Sequence, residues 1–362
     1  MFDHGASPPP PARNPVCELK RPEVRAPVPA VLLLLCASLL SWTAPSLASG
    51  FLDPSIDLPL SPLPAGLHSL MPVPVENPLT TAKIELGRKL FFDQSLSRDG
   101  TISCASCHRP DKAFTDGRAL PVGVGGRRGR RNAPSLVNAG YGKAMFWDGR
   151  ADTLEAQALH PLSDPLEMGN TLEAVLARVH EDRFYRKLSN AAFGTALMRS
   201  QQIAQALASF QRTLVAGNSP YDRYLLQRDD AALSDAARRG LTLFRGKARC
   251  AHCHEGPLFT DQKFHNTGVS WGKVPFDFGR FEHTGKDEDK GRFKTPSLRQ
   301  LTDTAPYMHD GSVQTLEEVI EFYDRGGTAN GNLDPSIKSL SLLRQEKADL
   351  LAFLRMLSTM ER

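Results

Sequence analysis

Residues 104–108 read CASCH and residues 250–254 read CAHCH. Each stretch has two cysteines, two residues between them, and a histidine directly after. Three chemistries use such a cysteine pair. Four thiolates can hold a zinc ion, a dithiol can pass electrons, and two thiols can bond the two vinyl groups of a c-type haem. The histidine separates these readings. Neither a zinc site nor a dithiol has a use for His at that place in both copies. Haem attachment does, because the next residue must carry a ring that reaches the iron. The spacing therefore points to two c-type haems. Cys104 and Cys107 would hold one, and Cys250 and Cys253 the other. His108 and His254 would be the proximal iron ligands.

The surroundings of the two motifs repeat. ELGRKLFF (85–92) precedes the first and RRGLTLFR (238–245) the second, both with Gly-x-x-Leu-Phe. AFTD (113–116) follows the first and LFTD (258–261) the second. A unit that occurs twice implies two domains of one kind. The 362 residues are enough for two ordinary domains, each with its own core.

Composition narrows the class. With 41% hydrophobic and 23% charged residues the chain reads as a soluble globular protein. A net charge of +4 gives no argument for nucleic acid, and the densest basic run, GRRGRR (126–131), is glycine-interleaved and reads as a loop. Of six cysteines, Cys17 and Cys36 fall in the first 50 residues and the other four are those of the motifs.

The N-terminus is expected to be a signal peptide over 1–48. It combines Arg13, Lys20, Arg21 and Arg25, an apolar run over 28–42, and a small-residue exit at Ser46-Leu47-Ala48. An uncleaved anchor is the competing reading, but the run is short of the ~20 apolar residues that span a bilayer. The expectation is export to the periplasm, with no membrane association after cleavage. Residues 49–78 form a proline-rich lead-in, with seven prolines in 51–78.

The periodicity predicts helices over 80–92, 153–160, 171–188, 200–215 and 341–358, a helix restarting at Ser234, and a capping box of Thr315 with Glu318 before TLEEVIEFY. Residues 218–233 read as a bridge. Runs of β-branched residues with period two are absent. The fold class is all-α, as two cytochrome c-like domains over 79–217 and 218–362, each with one covalent haem.

Longer motifs then carry a specific resemblance. CASCHRPDKAFTDG, RNAPSLVNA, FWDGRADTLEAQALHPLSDPLEMG, GRFKTPSLRQLTDTAPYMHDGS and LEEVIEFYDRGG resemble the bacterial di-haem cytochrome c peroxidase family, in particular its MauG-like branch. The similarity runs over roughly 76–355 in the family's order. It implies the following roles. Tyr323 stands where the peroxidases carry a methionine as sixth ligand of the second haem, and tyrosine is the MauG-like choice. A phenolate there favours ferric and higher states. Glu167 matches the acid–base glutamate over the peroxide site, with Gln157 and Pro161 as its pocket neighbours. Trp147 matches the relay between the haems. In many peroxidases a histidine plugs the first haem until the enzyme is half reduced. Its position here is Val124, and no histidine lies between His108 and His160. The first haem is thus expected to be five-coordinate and open. The resemblance also implies a calcium ion held by the Asn132 side chain and the carbonyls of Thr304 and Pro306.

The expected activity is reaction with hydrogen peroxide at the His108 haem. Oxidising equivalents would pass through Trp147 to a His254/Tyr323 haem and oxidise a protein partner. Peroxide reduction with a small cytochrome c as donor is the alternative. A non-catalytic di-haem electron carrier, with Met145 or Met168 capping the first haem, is a third reading. The surface tryptophan that MauG places two residues before its second CxxCH is Ala248 here, which puts a methylamine dehydrogenase partner in doubt.

Overall fold

The computed structural model describes residues 63–67 and 71–359. The expected signal peptide and most of the proline-rich lead-in lie outside the described residues. Eleven α-helices carry the described chain, with short 3-10 turns and one pair of two-residue strands, β1 (Phe264–His265) and β2 (Phe293–Lys294), antiparallel.

The Gly-x-x-Leu-Phe repeat has a packing reason. Helix α1 (Thr81–Phe92) crosses α6 (Ser200–Arg212), and α8 (Asp235–Arg245) crosses α11 (Arg344–Arg355). At the first crossing a Cβ on Gly87 would lie 1.9 Å from the Ala206 carbonyl oxygen; at the second, a Cβ on Gly240 would lie 1.9 Å from that of Asp349. Only glycine lets two helix backbones approach that closely. Four residues on, Phe91 meets Phe210 with ring centroids 5.1 Å apart, and Phe244 meets Phe353 at the same 5.1 Å. One helix pair is thus built twice from one local rule.

Each pair seeds a hydrophobic core. The first draws on residues from Ile84 to Ala216, the second on residues from Tyr221 to Leu357. Between them, α7 (Pro220–Leu226) occupies the stretch read as a bridge. Its Asp222 forms a buried ion pair with Arg299, both side chains 2% exposed.

Helix starts follow their caps. Ser234 accepts from Ala237 N, and Thr315 with Glu318 closes the box at α10 (Leu316–Asp324). The helix expected over 171–188 is instead two, α4 (Leu172–Glu181) and α5 (Arg183–Phe193). Asp182 ends the first, and its side chain accepts from Phe184 N to start the second. A residue able to cap a helix overrides a continuous apolar pattern.

Candidate functional site

Helix α2 (Cys104–Cys107) is a single turn that presents its two cysteines and ends on His108, whose N–H donates to Cys104 O at 2.9 Å. The second motif winds likewise through a 3-10 turn, with His254 N donating to Cys250 O at 2.9 Å. The loop after each motif then fixes the imidazole. His108 Nδ1 lies 2.9 Å from Phe114 O, and His254 Nδ1 lies 2.8 Å from Phe259 O. Both phenylalanines take the left-handed backbone, φ 58° and 53°. An Nδ1–H committed to a carbonyl sets the tautomer and leaves Nε2 bare to face a metal. Burial lowers the pKa of both histidines, so both stay neutral. No disulfide joins the four motif cysteines. Burial pushes Cys104, Cys107 and Cys250 each up to about 12.

The second motif opens on a cavity of about 370 Å³. Cys250, Cys253, His254, Met308, Tyr323 and Trp147 are among its lining residues. Tyr323 sits on α10, and burial raises its pKa, with the Cys250 and Cys253 thiols adding to the shift. Thr267 lines the same cavity. A buried neutral phenol loses its proton readily only to a cation beside it. Attachment thiols, fixed imidazole, apolar cavity walls and a half-buried phenol are together a residue set that could hold a c-type haem.

Around the first motif the furnishing differs. Helix α3 (Leu154–Ser163) carries Gln157 and Pro161, and the ring of Pro161 denies Gln157 O its intrahelical partner. The chain then turns through Asp164, whose carbonyl accepts from Glu167 N at 3.0 Å. Burial, with Asp164 adding, pushes the Glu167 carboxyl up to about 7. Its charge in turn raises both Cys104 and Cys107.

Val124 is fully buried, and its N–H donates to Glu167 O at 2.8 Å. The loop that carries it is closed on itself by a bridge between Val122 and Arg128. The Val124 side chain packs on the Gly169 turn, where a Cβ would meet Val124 Cγ1 at 2.7 Å.

Trp147 joins the two regions. Its Nε1–H donates to Asn132 O at 2.9 Å, and Asn132 N donates to His309 O at 2.7 Å. Asn132 Nδ2 donates to Arg118 O at 2.8 Å, which leaves its Oδ1 as the end not engaged there. Asn132, Thr304 and Pro306 all lie on the wall of the second cavity.

Several polar residues of the site went unread in the sequence. His309 stacks on Phe293 with centroids 3.5 Å apart and planes 11° from parallel, and burial pushes its pKa down to about 4. Lys294, also on the cavity wall, donates to Ala144 O at 2.6 Å and is lowered to about 8 by burial. Arg131 bonds Asp277 at 2.7 Å and Asp148 at 2.5 Å and ties the stretch after the first motif to the stretch after the second. His265 is held between Asp334 at 2.6 Å and Asp261 at 2.9 Å, beside Cys253. MHDGS and RNAPS are visible as motifs, but nothing in their spacing tells that their backbones meet, Asn132 N on His309 O.

Residues 81–231 match the sequence profile described as di-haem cytochrome c peroxidase. The methylamine utilization protein MauG of Methylophilus methylotrophus is 40% identical over 79% of this chain and 85% of its own. The cytochrome-c peroxidase IdrP1 of Pseudomonas sp. strain SCT is 35% identical over 92% of this chain and 93% of its own. A crystal structure described as a MauG-like protein associated with microbial copper homeostasis superposes with a TM-score of 0.75 at 39% identity, covering 84% of this chain and 95% of that one. The chain belongs to the di-haem cytochrome c peroxidase family. It is an oxidoreductase of the peroxidase type, and the family implies two haems, hydrogen peroxide and a redox partner.

Proposed function

From membership of that family, we propose that the chain is a MauG-like enzyme. It reacts with hydrogen peroxide at an open haem on His108 and uses the oxidising power on a partner protein. When bound, the two haems supply iron that changes oxidation state and, at His108, a coordination position open to peroxide. The domains are those around each motif, 79–217 and 218–362. The observation that carries the reading is the pairing of Glu167 with Val124. A half-buried carboxyl poised near neutrality acts on both thiols of the first attachment site. The position from which a histidine could plug that site is a buried valine pinned to the Glu167 backbone.

Each residue then has a task. Glu167, ionised, takes the proton from one peroxide oxygen and delivers it to the other, so that the far oxygen leaves as water. Gln157 and Pro161 wall that pocket. Trp147, held by its bond to Asn132 O, relays electrons between the two sites. Tyr323 would offer the second iron an anionic oxygen donor, the chemistry that keeps a reduction potential low. A calcium ion suits the oxygen donors Asn132, Thr304 and Pro306, which share one wall.

Among the described residues no helix is long and apolar enough to cross a membrane. With the N-terminal pattern of 1–48, this fits a periplasmic enzyme. The partner is a protein oxidised at a side chain. One relative is named for methylamine utilization and another is associated with copper homeostasis. Ala248, in place of MauG's exit tryptophan, separates this chain from the former partner. A second reading is peroxide reduction with a small cytochrome c donor, favoured by the near full-length match to a cytochrome-c peroxidase.

One equivalent of hydrogen peroxide added to the fully ferric protein, without reductant, tests the proposal. An immediate, long-lived change in the haem spectrum is expected. No reaction until one haem is reduced would replace this reading with a gated cytochrome c peroxidase.

A further inference from the structure

Residues Thr267 to Trp271 run from the second cavity to the surface. Thr267 lines the cavity, as Tyr323 does. Val269 lines it as well. Ser270 Oγ lies 3.0 Å from His309 Nε2, and Trp271 is next, 36% exposed. The His309 ring sits edge-on to Trp147 at 6.5 Å. A continuous packed and bonded path therefore leads from Trp147 through His309 and Ser270 to an indole at the surface.

That indole is not part of either core. It meets Phe276 edge to face at 5.1 Å, and Phe276 meets Phe278 at 4.8 Å. Phe278 is 40% and Val274 97% exposed. Phenylalanine has no ionisable ring proton and gives up an electron far less readily than tryptophan. Of this surface cluster only Trp271 can act as a redox group. Ala248, by contrast, is a buried methyl on the cavity wall.

We infer that Trp271 is the surface relay through which the redox partner delivers electrons to the second haem site. The inference deepens the proposed function and rests on its peroxide chemistry. Each hydrogen peroxide takes up two electrons and two protons and yields two waters. Trp271 passes one electron inward at a time, and its indole N–H proton leaves to bulk water. An electron from the partner and a proton from water restore it. With peroxide and no partner, the indole itself is consumed. Water adds one oxygen as two electrons and two protons leave, so that tryptophan and hydrogen peroxide give hydroxytryptophan and water.

The test uses the full-length di-haem protein, with Trp271→Phe and Trp271→Tyr beside the parent. The first readout is peroxide-driven oxidation of a reduced soluble c-type cytochrome. The second is the mass of the tryptic peptide Phe264–Lys273, which contains Trp271 alone among tryptophans, after peroxide without donor. Turnover is expected to fall about tenfold or more in Trp271→Phe and to recover in Trp271→Tyr, since tyrosine can still be oxidised. The parent peptide gains one oxygen. A fold packing role would be met by Phe and would leave turnover intact. Parent-like turnover in Trp271→Phe with an unmodified parent peptide overturns the relay. The peptide decides alone if the chosen cytochrome proves a poor donor. Failure of the parent itself to react with peroxide overturns both the relay and the proposed function.

Discussion

At the first CxxCH, His108 is anchored to Phe114 O at 2.9 Å; at the second, His254 is anchored to Phe259 O at 2.8 Å. Each motif follows a helix whose glycine lets a partner helix approach to backbone contact. Beyond the histidines the likeness ends. The first site has Glu167, half-buried and raised to about 7, with its backbone bonded to Val124. The second has Tyr323 and a cavity that reaches Trp147. What holds a haem is thus a local repeat. What the haem can do is set by side chains brought in from distant segments. A peroxide site needs a mobile proton and an open face. An electron site needs a filled coordination sphere and a path outward.

The most drastic way to break the symmetry is to remove one attachment at a time. Cys104→Ser with Cys107→Ser should leave one covalent haem and abolish the reaction with peroxide. Cys250→Ser with Cys253→Ser should also leave one haem, keep the first contact with peroxide, and stop donor oxidation. Haem per chain in the denatured protein, together with stopped-flow spectra, checks both. A first-site variant that still consumed peroxide would reverse the assignment of roles.

Next in size is Glu167→Gln, which keeps shape and removes the base. The peroxide rate constant should fall about 10²–10⁴-fold. The pH profile sharpens the test. With the carboxyl raised to about 7, the ionised base is lost as pH falls through 7, so the parent's rate declines below that point and the Gln variant's stays flat. Stability moves the opposite way. The native state binds a proton more tightly than the unfolded one, so between the ordinary carboxyl pKa and 7 the parent loses stability as pH rises. Glu167→Gln should melt higher than the parent at pH 8 and alike at pH 4.

Legibility follows the same division. The attachment residues lie within five positions, and a spacing rule reads them. The glycine–phenylalanine repeat was visible for the same reason, though its meaning, a helix crossing at Gly87 and at Gly240, needed the partner carbonyls of Ala206 and Asp349. Helix starts were legible at Ser234 and Thr315 because capping is local. The break at Asp182 was missed because the apolar period continues through it. The meeting of Ser270 with His309, or of Arg131 with Asp277, depends on long-range packing, and no periodicity carries it. Trp271 was visible but had no place until its neighbours were known.

Val124→His would give the first site the plug it lacks. The side chain is fully buried against the Gly169 turn, so the larger ring should cost about 1–3 kcal/mol of stability. The ferric variant should react slowly with peroxide and recover when one haem is reduced. Val124→Leu, of similar bulk but without a nitrogen, separates ligation from crowding. Slow reaction in both would make the effect steric and leave the gate unexplained.

The smallest effect is expected at the second site, where Tyr323→Met changes a donor atom and little else. The helix that carries it is capped independently by Thr315 and Glu318, so the fold should persist. Thioether sulfur is neutral and favours ferrous iron, whereas a phenolate is anionic and favours ferric. The reduction potential of the second haem should therefore rise, on the order of 100 mV or more, in a redox titration followed at the haem bands. Tyr323→Phe leaves no donor and should give a five-coordinate spectrum at that haem. The first haem's reaction with peroxide should begin as before in both variants, since Glu167 and Val124 are untouched. What should change is the lifetime of the oxidised protein, because a second site that prefers ferrous iron shares the oxidising equivalents poorly. An unchanged potential in Tyr323→Met would place another group on the iron, and Met308, on the same cavity wall, is the next residue to replace.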